Sequence, residues 1–452
     1  MTQTKTRPQS INAMAKIPDF WDRDVLFFAN LMSLFFGNEL ELEELENPAG
    51  EIESYGGRLV PVINTIFKGE NNVLVLERAP DTSLCQYFSS HLGLSLPRIE
   101  VLSHQDYLAN AQSAINWAKE RISHDTYWLD GYVTDDALST WAANLSKPTI
   151  SSAAGSHRGN NKRLLHEFLM ASDLPIPITR LASDAGQARN QLLELKGMGF
   201  HRAAVRSAVG ASGIGTIKAE LGDDNPIPST PDFFFREGPC LVQGWIETGI
   251  NKVIDVKSPS VQLFLDDSSV HLYDITDQIL SKDSVHEGNI SPPPYMDKDL
   301  KTELLRQADL VGGWLHSQGY RGTGSIDYIV TRQSDAESPI VYTSEINARI
   351  TGATYPSVLA RRFMPSGAWL MENLRLESPW SGERLMQHFQ TASRLYLPGK
   401  DEGMVPINFN FDESDRVTKL QMLFLAPDVD RCLALVRDLE GDATLGFKAE
   451  RD

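Results

Sequence analysis

Cysteine is scarce in this 452-residue chain: Cys85, Cys240 and Cys432 are scattered and odd in number. With no CxxC pair and no Cys/His cluster, neither a disulfide framework nor a structural zinc site is expected. A reducing cytoplasm is the natural compartment. Long apolar runs are also lacking. The stretch VLFFANLMSLFF, Val25 to Phe36, covers about 12 residues, too few to span a bilayer. The opening MTQTKTRPQSINAMAKIPDFW is polar, without the apolar centre of a signal peptide, and residues 1 to about 20 read as a loose leader. Positive charge is in deficit, with 42 Lys and Arg against 60 Asp and Glu, a net charge of −18. Such a chain is a poor partner for a nucleic-acid backbone or an anionic membrane. A small phosphorylated ligand needs only a few local cations and stays open. There is no GxGxxG, no GxxxxGK[ST], no internal repeat, no low-complexity tract and no heptad pattern. Hydrophobic residues make up 41%, enough for a sizeable core, and the length allows about three domains.

What is present reads as an alternating α/β chain. RLVPVI, NVLVLE and RIEVLS cluster β-branched residues between polar bounds and read as strands. Gln105 to Ile122 has the apolar spacing of an amphipathic helix. Together they predict a small parallel α/β domain over residues 1–150. At Ser151 the composition changes to SSAAGSHRGNNK, a small-residue loop, followed by a helix carrying Leu164, Leu165, Phe168 and Leu169, which Pro175 and Pro177 end. A βαβ-like stretch follows to about Ile246. From Val253 to Thr354 strands dominate (VIDVK, VQLFL, SIDYIV, PIVYTSEINAR), with one helix over 300–319. A helix, SVLARRFM, and a mixed α/β tail complete the chain.

Four segments carry chemistry. VGASGIGT, Val209 to Thr216, is a glycine- and hydroxyl-rich turn between two strands. Its N–H groups can fold over phosphate oxygens, because glycine permits close approach and positive φ. The plain alternative is a ligand-free hairpin, and the loop taken alone favours that alternative. Asp327 of SIDYIV and Glu345 and Asn347 of YTSEINAR stand on two strand-like runs joined by a polar turn. Glu345 and Asn347 are two apart and share a strand face; Asp327 joins them if the strands are antiparallel neighbours. Two carboxylates and an amide oxygen are hard ligands suited to Mg²⁺ bridging nucleotide phosphates. Arg349, two further on, is placed to grip an anionic substrate or a developing oxyanion. The competing picture is a half-buried hairpin with an internal salt bridge, which would leave several polar groups poorly compensated. Lys162, opening the Leu164–Leu169 helix, has no special status on spacing alone. CLVQGWIETG, Cys240 to Gly249, reads either as an adenine slot with Glu247 on the ribose hydroxyls or as an edge strand entering a turn.

In this order and spacing the segments resemble the ATP-grasp superfamily over about residues 151–360, most specifically in EINARITGATYP, Glu345 to Pro356. TDQILSKDSVHEGN (276–289) and SPSVQ (258–262) resemble its branch with a "pre-ATP-grasp" domain, which includes the pheganomycin-type peptide ligases. The resemblance implies an α/β (α+β) ATP-grasp fold in three parts. These are an N-terminal pre-ATP-grasp α/β domain (1–150), a nucleotide-binding and catalytic region (151–360) with a lid subdomain at about 178–245, and a small C-terminal α/β domain (361–452). It implies that Lys162 reaches a phosphate and that Arg206 stands where most members carry a phosphate-contacting lysine, a departure that keeps the charge in a bulkier, forked form. Ser212 and Gly213 would lie in the loop over the triphosphate. Gln243 to Ile246, including Trp245, would form the adenine hinge. Glu247 would bind ribose, although the more usual acidic residue earlier in that segment is here Gln243. Asp327, Glu345 and Asn347 match the metal ligands, and Arg349 the arginine that orients the carboxylate or stabilises the tetrahedral intermediate.

The function so implied is ATP- and Mg²⁺-dependent ligation of a small carboxylate to an amine, an amino acid or short peptide, in secondary metabolism. The reaction would pass through an acyl phosphate and release ADP and phosphate. His286 is a candidate substrate-side group, with an ordinary structural histidine as its plainer reading. A homodimer in the cytoplasm is in keeping with the superfamily. Two alternatives remain: a nucleotide-binding scaffold with an inactive site, and an enzyme of this type with a non-amine acceptor.

Overall fold

Four short strands build the first sheet: β1 (Val25–Phe28), β2 (Val73–Leu76), β3 (Arg98–Val101) and β4 (Trp128–Gly131). They pair in parallel in the order β3-β2-β1-β4. Every residue of β1 and β2 is buried, as expected of parallel strands covered on both faces. The computed structural model describes residues 23–35, 53–122, 127–210, 215–280 and 286–449, and the statements below concern these. The carboxyl edge of this sheet, where an open α/β sheet gathers its ligands, delivers Tyr132 to a central cavity.

Two local expectations change here. RLVPVI is not a strand but a 3₁₀ turn over Ser54–Leu59 and a short helix over Ile63–Ile66. Leu59, Val60, Val62 and Ile63 are all buried, so the run has no two-fold alternation to set its type. Pro61 removes an N–H and fixes φ in a range that starts helical turns. The helix over 105–122 is two pieces, α1 (His104–Ala109) and α2 (Gln112–Arg121), broken at Asn110, where φ is 49°.

The small-residue loop at 151 is also helical: α3 (Ala153–Gly159), with the Ser152 hydroxyl accepting from the Gly155 N–H at 3.0 Å. The small side chains serve close packing. A Cβ on Gly155 would lie 2.5 Å from the Gly319 backbone. Helix α4 (Lys162–Ala171) follows at once, capped by Asn161. Then come β5 (Thr179–Ala182), α5 (Ala185–Gly197), β6 (Arg202–Arg206), β7 (Thr216–Glu220) and β8 (Cys240–Gly244). Their order β5-β8-β6-β7 is antiparallel throughout. β5 and β6 therefore run the same way on either side of β8, a split βαβ unit.

The remaining strands are β9 (Val253–Lys257), β10 (Pro259–Leu265), β11 (Val270–Leu280), β12 (His286–Ser291), β13 (Gly322–Gln333), β14 (Ile340–Asn347), β15 (Ala368–Trp380), β16 (Gly403–Phe411), β17 (Val417–Ala426) and β18 (Phe447–Ala449). They form a ten-stranded sheet whose main path is β14-β13-β10-β11-β12-β15-β17-β16, with β9 on β13 and β18 on β15. Strands of the tail thus continue the central sheet. Helix α6 (Lys298–Ser317) lays Leu300, Leu304, Ala308, Val311 and Leu315 on one face of it, at helical spacing. Helix α7 (Thr354–Phe363) is buried along most of its length. No helix among the described residues is long and apolar enough to cross a membrane.

Gly288 shows how tightly β12 meets β15. A Cβ there would stand 2.1 Å from the Met371 carbonyl oxygen. Gly288→Ala should therefore cost about 1–3 kcal/mol by overpacking, read as a lower urea midpoint; an unchanged midpoint would contradict that packing.

Candidate active site

A partly open cavity of about 950 Å³ lies between the two antiparallel sheets and the connections of the first sheet. Its walls carry seven basic side chains (Arg58, Lys162, Arg202, Arg206, Lys218, Arg349 and Lys419) against three carboxylates (Glu247, Asp327 and Glu345). In a chain of net charge −18, this concentration of positive charge marks the place for an anion.

Asp327 and Glu345 face each other across the antiparallel β13–β14 pair, and Ser325 faces Asn347. On β13, Ile326, Tyr328 and Val330 pack towards α6, so the alternate residue Asp327 points to the cavity. β14 needs a device to match it. Val341 and Thr343 face α6, the latter hydrogen-bonded to Gln307 at 2.9 Å. Simple alternation would send Glu345 the same way. A bulge intervenes, because Asp327 pairs with Glu345 but Tyr328 pairs with Thr343, leaving Ser344 extra. The added residue reverses the parity. Ile346 and Ala348 then pack on the α6 side, and Glu345 and Asn347 line the cavity.

Asp327 accepts from Ser260 Oγ at 2.7 Å and from Asn347 Nδ2 at 2.8 Å. Burial, aided by the nearby Glu345 charge, pushes its carboxyl above the ordinary range despite those bonds. Glu345 moves the other way. Burial would raise it, but Lys162, Arg206 and Arg349 together hold it below the ordinary range. Two neighbouring carboxyls are thus driven apart, a pattern frequent at functional sites.

Lys162 is buried at the first turn of α4, with its N–H on the Ala208 carbonyl at 2.7 Å. Its Nζ reaches the Gly210 carbonyl at 2.8 Å and Glu345 Oε1 at 3.3 Å. Burial lowers its pKa to about 8. Arg206, at the end of β6, places Nη2 2.7 Å from Glu345 Oε2. Glu345 is therefore held between two cations from elements outside its own hairpin. The β6–β7 hairpin carries the glycine-rich loop. Gly215 has φ 74° and accepts from the Ser207 N–H at 2.8 Å. Ser212 and Gly213 lie outside the described residues.

Gln243, Trp245, Ile246 and Glu247 all line the cavity. Gln243 Nε2 donates to Thr179 at 3.0 Å. Glu247 is paired with Arg202, whose Nε lies at 2.9 Å. Arg202 and Lys218 flank the Trp245 ring, at 5.4 and 5.8 Å from its centroid. Arg349 is buried, with Nη1 on Asn160 Oδ1 at 2.7 Å. Asn160 also bonds both backbone groups of Ala348, which fixes the chain just before the arginine. His286 lines the cavity beside Asn289, at 2.6 Å, and Gly352.

The structure thus gathers every described candidate around one cavity. Sequence reasoning missed Tyr55, Arg58, Tyr132, Asn160 and Ser260. Asn160 and Ser260 lie beside segments already singled out; nothing local marks the other three.

The residues fit a divalent cation. Among the described residues, no three His, Cys, Asp or Glu side chains form a ligand group, so a closed all-protein cage is not what the site offers. It offers two carboxylates on facing positions and the Oδ1 of Asn347, whose Nδ2 is turned to Asp327 and Ser325. One or two carboxylates, completed by oxygens of an anionic substrate, is the usual provision for Mg²⁺.

Comparison with known structures gives this architecture a name. The biotin carboxylase–β,γ-ATP complex from Campylobacter jejuni superposes with a TM-score of 0.57 at 13% identity, covering 91% of this chain and 89% of that one. The biotin carboxylase domain of 2-oxoglutarate carboxylase from Hydrogenobacter thermophilus is a dimer with MgADP, ADP and bicarbonate. It superposes with a TM-score of 0.56 at 12% identity, covering 95% and 91%. The chain has the ATP-grasp fold. At these identities the likeness carries the ATP-grasp architecture alone. No family model matches the chain. Among curated proteins, the butirosin acyl-carrier protein–L-glutamate ligase of Niallia circulans is 26% identical over 207 residues. That match spans 44% of this chain and 44% of the relative.

Proposed function

We propose that this ATP-grasp chain is an ATP-dependent ligase that activates a small carboxylic acid as an acyl phosphate and passes the acyl group to an amine, releasing ADP and phosphate. The observation that carries the reading is Glu345, held between Lys162 and Arg206 while sharing a face with Asp327 and Asn347. A polyphosphate entering the cavity would compete for the two cations and free Glu345. Magnesium held by Asp327, Glu345 and Asn347 would offset charge on the nucleotide phosphates. Lys162 and Arg206 bind and orient the phosphates. Gln243 to Ile246 line the place for the base, and Glu247 that for the ribose. Arg349 orients the reacting carboxylate and takes up charge on its oxygen. No side-chain nucleophile is needed.

The curated relative's name links L-glutamate to an acyl-carrier protein. This favours a second reading in which the acceptor is a carrier group and not a free amine. A matrix of carboxylic acids against amines, with a pantetheine thiol as one acceptor, tests both through ADP release and product mass. ADP release needing acid and amine together supports the first reading, and thioester product the second. ATP binding without turnover across the matrix would overturn both.

Arg349→Ala should raise the barrier by about 2–4 kcal/mol if the guanidinium stabilises an oxyanion. Steady-state kcat/KM checks this, and Arg349→Lys should recover only part of the loss because it lacks the planar fork. A near-normal rate in Arg349→Ala would contradict its assigned role.

A further inference from the structure

The mechanism leaves one corner of the cavity unused. Tyr55 lies within electrostatic reach of Arg349, and the Arg58 guanidinium covers its ring at 3.2 Å from the centroid. Arg58 is only 3% exposed. It donates to the Tyr355 hydroxyl at 2.9 Å, while its Nε has no hydrogen-bond partner among the described residues. Tyr132, 2% exposed, also has a hydroxyl without a partner among the described residues. Both residues line the cavity. None of the three cavity carboxylates serves Arg58. Glu247 is taken by Arg202, Glu345 by Lys162 and Arg206, and Asp327 by Ser260 and Asn347. A guanidinium buried without a counter-charge is strongly unfavourable unless an anion completes it. The surrounding phenols supply no such charge. The amino end of α7, through Gly352 and Ala353, lines the same cavity and adds its favourable field.

We propose that Arg58 and Tyr132, beside the start of α7, form a subsite for a carboxylate other than the one being activated. The inference rests on the ligase reading for the chemistry but on Arg58 for the binding. The carboxylate belongs either to the activated acid, which then carries two, or to the amine, which is then an amino acid or peptide with a free carboxyl end. In both cases the N-terminal domain selects an anionic substrate and holds it by the end remote from the bond that forms.

Calorimetry on the full chain with saturating MgADP tests the subsite, using L-glutamate, L-glutamine and glycylglycine as probes. At least one should bind saturably to the wild type. Arg58→Gln should weaken that binding at least about tenfold, and Arg58→Lys should weaken it less. Tyr132→Phe removes only a hydroxyl with no partner among the described residues. It should cost about threefold with no drop in melting temperature, an outcome a purely structural role would not give. MgADP affinity should be the same in all variants. Unchanged probe affinity in Arg58→Gln, a parallel loss of MgADP binding, or no probe binding to the wild type would each overturn the subsite. In turnover assays, a KM increase confined to the acid assigns the carboxylate to the acid, and one confined to the amine assigns it to the amine. Arg58-dependent binding in a chain that never releases ADP removes the ligase reading and leaves the subsite; turnover with Arg58-independent binding does the reverse.

Discussion

Glu345→Gln should lower ADP release by about 10³-fold, the equivalent of roughly 4 kcal/mol, because it removes a carboxylate assigned to the metal. The geometry adds a second, opposite effect. In the free protein Glu345 occupies both Lys162, at 3.3 Å, and Arg206, at 2.7 Å. The amide cannot compete for these cations as the carboxylate does. Metal-free ATP should therefore bind the variant more tightly than the wild type, while turnover with Mg²⁺ collapses. Titration in chelator and steady-state kinetics with Mg²⁺ check the two halves. If Glu345 were only a structural ion pair, both halves would fail: turnover would follow stability, and metal-free binding would gain nothing.

Asp274→Ala should destabilise the fold by about 3–5 kcal/mol, the range for breaking a buried ion pair from one side. Asp274 is 4% exposed on β11. It receives Arg361 at 2.7 and 3.1 Å, Ser291 at 2.8 Å, Ser357 at 2.5 Å and the Trp369 indole at 3.0 Å. One carboxylate thus ties β11, β12, α7 and β15. Its removal leaves Arg361 charged without its carboxylate and takes the acceptor from four further donors, Ser291, Ser357, Trp369 and the Ile275 N–H. Asp274→Asn keeps one acceptor and should fall between. Because α7 opens onto the cavity, the alanine variant should also lose ligand binding in proportion to its loss of fold. Urea denaturation followed by far- and near-ultraviolet dichroism measures this, and a wild-type midpoint would contradict it.

The parts legible in the sequence were those in which local periodicity and chemistry agreed. Asp327, Glu345 and Asn347 stand out because charged and amide side chains interrupt β-branched runs, and the structure does turn all three to one cavity. The resemblance to the ATP-grasp superfamily, drawn from EINARITGATYP and its neighbours, holds at the level of the fold. The route to that face was not legible. Reading Val341, Thr343 and Glu345 as one alternating set would bury Glu345 against α6. Only the pairing across to Tyr328 shows that Ser344 is an extra residue, and pairing is not a local property. The RLVPVI run failed for a related reason: a segment buried on all sides shows no period, and Pro61 decided for helical turns. Arg58 lies inside that misread run. Its significance is its lack of an acidic partner among the described residues, which no spacing along the chain expresses.

The central claim is that the cavity takes a magnesium nucleotide between Lys162 and Arg206 on one side and Asp327, Glu345 and Asn347 on the other. Calorimetric titration of ATP into the full chain, with Mg²⁺ and with chelator, tests it most directly. Saturable binding at one site is expected, tighter with Mg²⁺, with the Mg²⁺ advantage lost in Asp327→Asn. Absence of saturable binding, or binding indifferent to both Mg²⁺ and Asp327, would contradict it.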